Sequence, residues 1–241
     1  MLNQTSAVTV RVLKQLSHDR RFVGLSLIVP VFVIYLLWIF FDAVERPFFN
    51  VETFVPPVAA FIVHFLTYVL CAIVLVRERS THTLVRMFVS GYDRVSIIGG
   101  YLVAYSLLAT LQSLIVLVML NSLFELNYDM GTFVSMFVVI WLLAIISIAL
   151  GIFVSNFARN EGQVFPFIPL VIMPSIFFSG MIMSVDLLPN WAAPLSYLTP
   201  MFYANEVIQS IISTGGNSMF MVGLIAYGGV ILVLAIFTLR E

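Results

Sequence analysis

The chain has 241 residues, 61% hydrophobic and only 10% charged, with a formal net charge of −1 and a mean hydropathy of +1.09. Ordinary soluble domains carry roughly 25% charged residues, so this composition excludes a soluble globular enzyme and indicates an integral membrane protein. No nucleic-acid partner is expected. The net charge itself is uninformative, because the charges are distributed unevenly across the membrane.

The first element is a helix over about residues 7–19. Val8, Val12, Leu13 and Leu16 fall on one face, and Arg11, Lys14, Gln15 and His18 on the opposite one. A basic amphipathic helix of this kind lies in the headgroup layer and acts as an elbow clamping the first span, with Arg11, Lys14 and Leu16 as its marker residues. A frayed tail is the alternative reading.

Six intervals without Asp, Glu, Lys or Arg follow: 22–41, 53–76, 95–124, 130–158, 162–185 and 207–239. About twenty apolar residues in a helix cross the hydrocarbon core, and a charge inside it costs several kcal/mol. Gly99-Gly100 trims the third interval, and the turn-forming cluster Ser213, Thr214, Gly215, Gly216, Asn217 and Ser218 cuts the last. The expected fold is therefore all-α, with six transmembrane helices at about 22–41, 54–76, 100–123, 132–155, 163–184 and 219–239 in a single transmembrane domain.

Sidedness follows from Lys and Arg. With an even number of spans, ten of the eleven basic residues share one side, and Arg46 stands alone on the other. The basic side is expected to be the cytoplasm, with both termini there. No cleavable signal is expected, because the first apolar stretch exceeds the usual length and no small-residue cleavage site follows it. Asn3-Gln4-Thr5 matches a glycosylation acceptor, but on the cytoplasmic side it is a chance match. Cys71 is the sole cysteine, which excludes an intrachain disulfide.

Residues 77–94 form the only sizeable cytoplasmic connection. Arg79, His82 and Arg86 are expected on one helical face, with Leu84, Met87 and Phe88 on the other. The segment reads either as a positive-inside loop or as a docking helix that offers its basic face to a soluble partner. On the outer side, residues 181–218 contain no Lys or Arg but hold Pro189, Pro194 and Pro200 among Trp191, Tyr197, Phe202 and Tyr203. That segment is too apolar for a free loop and too broken for a span. Two short re-entrant helices over 186–212, covering a translocation path, are expected.

Enzymatic signatures are missing. The sequence has no GxxxxGK[ST], HExxH or GxSxG motif and no Cys/His cluster, so no catalytic or metal-binding residues are assigned. His64 lies mid-span and reads either as an interhelical hydrogen-bonding group or as a proton relay, although no central carboxylate accompanies it. Ser147, Gly151 and Ser155 recur every four residues, a spacing that permits close helix approach within the chain or at a dimer seam. Gly228-Gly229 is equally open to both readings.

With these pieces placed, the chain resembles the membrane subunit of an ATP-binding-cassette exporter of the second export type, the drug and polysaccharide permeases. Phe178-Ser179-Gly180, Leu188-Pro189, Trp191 and Leu198-Thr199-Pro200 with Tyr203 and Ala204 match that family's pattern in the last third. Leu150-Gly151, Ser155, Ala158-Arg159 and Glu161 resemble its motif at the end of the fourth span, and Glu78, Thr83-Leu84, Arg86, Ser90 and Arg94 its coupling segment. Val85, Gly91 and Gly100-Tyr101 depart from it, where an acid, Pro and Gly-Lys are usual.

The resemblance implies a second permease protomer, identical or homologous, and a pair of cytoplasmic ATPase subunits that bind the ATP and Mg, with no cofactor on this chain. It also implies plasma-membrane residence among lipid. Glu78, Arg79, His82, Thr83, Leu84 and Arg86 become the candidate coupling residues, and Gly180, Pro189, Trp191, Pro200 and Tyr203 the candidate gate. Substrate-binding residues are not identified. The aromatic and aliphatic lining, including Met173, Met181 and Met183, suits a hydrophobic or amphipathic drug-like or lipid-like small molecule, with polysaccharide as the alternative. An ATP-independent channel or carrier using His64, and a module that only recruits or senses, are the competing functional classes.

Overall fold

Short polar residues at the ends of the apolar runs start the long helices. Asp19, Asn50, Asp93 and Asp129 each accept a backbone N–H two or three residues on, satisfying amides that have no partner inside the helix. The computed structural model describes residues 2–44, 50–214 and 218–239. Arg46, Gly215, Gly216, Asn217 and Arg240, which entered the reading of sidedness and span limits, lie outside the described residues.

In chain order the α-helices are α1 (Leu2–His18), α2 (Arg20–Ala43), α3 (Val51–Ser80), α4 (Thr83–Val89), α5 (Arg94–Leu123), α6 (Met130–Ser155), α7 (Phe167–Phe177), α8 (Pro200–Thr214) and α9 (Ser218–Thr238). No strand occurs among the described residues. Five of these helices, α2, α3, α5, α6 and α9, are long and apolar enough to cross a membrane. The protein is thus an all-α, multi-pass membrane protein.

The fifth expected span differs. Residues 163–184 hold only the 11-residue α7, which at 1.5 Å per residue is about 16 Å long, roughly half the hydrocarbon thickness. Pro166 precedes it, Pro174 lies within it, and Gly180 turns the chain at a φ of 79°. The absence of charge measured the apolarity of this stretch but not its helical continuity. The limits of α5 differ too. It begins at Arg94, and Gly100 lies within it where α1 crosses, since a Cβ there would sit 2.5 Å from the Val8 Cβ.

α3 and α6 form the centre of the bundle. At Gly151 an added Cβ would come within 2.7 Å of the Tyr68 carbonyl and 3.0 Å of the Ala72 amide, so the small-residue stripe serves packing between these two helices. Gly228 approaches Ile146 of α6 in the same way, whereas Gly229 faces open space. α2 is peripheral and turns Leu25, Ile28, Phe32, Leu36 and Ile39 outward, as a lipid-facing helix should. α1 buries Val8, Val12 and Leu16 against the bundle and leaves Lys14 exposed.

Candidate functional site

The C-terminal end of α3 is where the candidate coupling residues gather. Helix α3 stops at Ser80, and His82 adopts the left-handed conformation with a φ of 56° before the seven-residue α4 begins. Helical periodicity therefore does not run through from Arg79 to Arg86, and the three basic residues do not share a face. His82 and Arg86 are exposed, Thr83 is half-buried and Leu84 is buried. Leu84 and Met87 anchor α4 to the bundle, with Phe88 packed beside them.

Glu78 and Arg79 point inward instead. Glu78 is 4% exposed, and its carboxylate accepts from Arg11 of α1 at 2.6 Å. Arg11 also donates to the Tyr101 hydroxyl at 3.1 Å and reaches the Met87 sulfur at 3.8 Å. Arg11 is therefore not on the headgroup-facing side of the elbow helix. A carboxylate this deeply buried needs a paired cation, and α1 supplies it.

Arg79 caps the other side. Its guanidinium donates to the Ser155 carbonyl, to the Ala158 carbonyl at 3.0 Å, and to Asn156 Oδ1 at 3.0 Å. A cation at a helix C-terminus meets unpaired carbonyls and the negative end of the dipole. Asn156 then donates to the Ala235 carbonyl at 3.2 Å and the Thr238 hydroxyl at 2.9 Å. One Asn thus joins α3, α6 and α9. Sequence periodicity assigned Arg79 outward; only the position of the α6 end reveals its partner.

A polar cleft of about 370 Å³ separates α1 from α4 and is lined by Val8, Arg11, Thr83, Arg86, Met87, Ser90 and Tyr92. The Gln4 side chain also ties α1 to the turn after α4, donating to the Gly91 carbonyl at 3.1 Å.

The candidate gate occupies the far end of the bundle. After Gly180, two short 3-10 turns at Val185–Leu187 and Ala193–Leu198 lead into α8, so a 15-residue helix and two turns replace the expected pair of short helices. Pro189 and Trp191 are exposed, and Pro200 is buried. Asn205 donates to the Ser179 carbonyl at 3.0 Å and lies 3.0 Å from where a Gly180 Cβ would be. The Tyr203 ring covers Gly223 of α9, and its hydroxyl donates to the Tyr197 carbonyl at 3.2 Å. Tyr227 of α9 donates to the Leu198 carbonyl at 3.0 Å.

Beneath this lid lies a cavity of about 310 Å³, bounded by Leu150, Leu170, Val171, Pro174, Ser175, Phe178, Leu195, Leu198, Thr199, Pro200 and Tyr227. Its lining is aliphatic and aromatic apart from three hydroxyl-bearing residues. The Ser175 hydroxyl lies 3.4 Å from His64 Nε2, and His64 Nδ1 lies 2.7 Å from the Ser147 hydroxyl. His64 therefore links α3, α6 and α7 through two serines. Of the three methionines expected along the path, Met173 and Met183 are exposed and Met181 packs on the core. No group of three or more potential metal ligands occurs among the described residues.

A bundle of apolar membrane helices, flanked by an amphipathic helix, a seven-residue helix carrying Arg86 and a half-span, fits a membrane transport protein. The family model for the ABC-2 type transporter matches residues 3–213, and the chain belongs to that family. It is 23% identical over 157 residues to the probable multidrug ABC transporter permease YbhR of Escherichia coli strain K12 and to its counterpart in Escherichia coli O157:H7. The aligned region spans 65% of this chain but only 42% of each of those relatives.

Proposed function

We propose that this chain is the membrane half of an ATP-driven exporter, docked to a separate cytoplasmic ATPase through α4. The observation that carries this reading is the split character of α4. Its apolar side, Leu84 and Met87, is fixed to the bundle, while His82 and Arg86 stand exposed beside the cleft to α1. A partner seated there would bind ATP and Mg; this chain supplies no phosphate-binding loop. Both termini face the cytoplasm of the cell membrane in this reading, because the basic residues cluster on that side.

A second permease protomer completes the pathway, and the exposed α7 face of Leu170, Met173 and Phe177 is available to it. The substrate is a hydrophobic or amphipathic small molecule. The 310 Å³ cavity is the size of a small-ligand site and mostly apolar with a few polar groups, and the multidrug naming of the relatives supports the same class.

Reversing the charge of the exposed pair tests the docking. In Arg86→Glu/His82→Glu, the ATPase that copurifies with the chain should lose its stimulation by the permease, while the purified permease keeps its thermal unfolding midpoint. Undiminished stimulation in that variant refutes docking through α4. Arg79 is left out of this test, because its charge reversal would place a carboxylate against the α6 carbonyls.

A further inference from the structure

Glu78 and Arg79 are adjacent residues, so on a helix their side chains diverge by roughly 100°. One grips α1 and the other the end of α6, immediately before the chain enters α4. Asn156 carries the second grip onto the last turns of α9. From Thr238, α9 runs back towards the lid, and Tyr227 is eleven residues away, which is about 16 Å along the helix. There its hydroxyl holds the Leu198 carbonyl, the wall of the lidded cavity.

We propose that α9 is a transmission rod, gripped at its C-terminal end by Arg79 through Asn156 and attached near its middle to the cavity lid by Tyr227. Displacement of α4 moves the end of α3, Arg79 draws the ends of α6 and α9 with it, and Tyr227 shifts the 195–200 segment over the cavity. Asn156 and Tyr227 are positioning residues in this role, acting through their hydrogen bonds to neighbouring segments. α9 suits this role because it is an uninterrupted helix, whereas α7 contains Pro174 and ends within half the span. This inference rests on the reading of α4 as the ATPase-facing helix and adds the route by which that helix reaches the lid.

The test uses the permease purified with its ATPase and placed in liposomes, in a Cys71→Ala background. A bimane fluorophore is attached either at Val89→Cys or at Trp191→Cys, both positions being exposed in the parent. ADP with vanadate should shift the emission at both sites. In Asn156→Ala and in Tyr227→Phe, the shift at 89 should persist, while the shift at 191 should fall by at least about fivefold, the lower range of a typical coupling factor. Tyr227→Phe keeps the ring and removes one hydroxyl, so it decides the matter if Asn156→Ala does not assemble.

A parental shift at 89 without one at 191, or a 191 shift retained in the assembled variants, overturns the rod. Equal loss at both sites also overturns it, because that is the signature of general loosening. No shift at 89 in the parent removes the ATP-driven reading itself, and the rod with it.

Discussion

Arg11 of α1 and Glu78 of α3 meet at 2.6 Å, and the Glu78 side chain is almost wholly buried while that of Arg11 is 37% exposed. The pair fixes the amphipathic helix to the helix that leads into α4. Removing one partner of a buried pair is costly, about 3–5 kcal/mol when both are enclosed, and the partial exposure of Arg11 reduces this. Arg11→Ala should therefore destabilise the protein by about 1–3 kcal/mol. Arg11→Ala/Glu78→Gln should recover much of the loss, because no unpaired charge then remains. Thermal unfolding in detergent distinguishes the two; equal loss in both would mean that the pair has no electrostatic role.

Gly151 and Gly229 make opposite predictions for one substitution. Gly151→Ala drives a methyl against the Tyr68 backbone and should cost about 1–3 kcal/mol by overpacking, lowering the unfolding midpoint. Gly229 has nothing within 4 Å of its Cβ direction, so Gly229→Ala should be neutral or gain up to about 1 kcal/mol in helix propensity. An unchanged midpoint in Gly151→Ala would mean that α3 and α6 are not in close contact.

His64 holds α7 to the centre through Ser175, and Tyr68 of α3 also donates to the Phe167 carbonyl at 3.1 Å. His64→Ala should loosen α7 selectively. Hydrogen exchange at residues 167–177 is expected to speed up by about tenfold, equivalent to about 1.4 kcal/mol of local stability, with little change in α5. Uniform acceleration across both helices would contradict a local anchor. Transport that continues without nucleotide and stops in His64→Ala would instead support a carrier.

Asp129 caps α6, accepting from the Thr132 hydroxyl and from the Gly131 and Thr132 amides. These bonds, the Thr132 side chain first, hold its carboxyl below the ordinary carboxylate value. Because the folded form is the more acidic, its contribution to stability is complete above the unfolded value near 3.8 and is lost as pH falls through the folded one. Asp129→Asn should therefore lessen the acid-side loss of stability below about pH 4, measured as the difference in unfolding midpoint between neutral and acidic buffer. An identical acid profile in the variant would remove Asp129 as a contributor.

The features legible in the sequence were those set by local chemistry. Charge-free runs mark α2, α3, α5, α6 and α9 because burying an ion in hydrocarbon is expensive whatever the fold. The spacing of Val8, Val12 and Leu16 shows the buried face of α1, since helical periodicity alone decides it. Leu84 and Met87 are legible in the same way.

The tertiary structure decided where long side chains go and where helices stop. Arg11 and Arg79 resemble surface cations in the sequence, yet one pairs with a buried carboxylate and the other caps a helix 76–79 residues further along the chain. Their flexible stems let the same residue point outward or inward, and only the position of Glu78 or of the α6 end selects between them. Gly100 looked like the start of a helix because glycine is also a turn former; the approach of Val8 from α1 is what requires it. The half-length of α7 likewise depends on prolines and a left-handed Gly180, and neither changes the apolarity by which the span was first read.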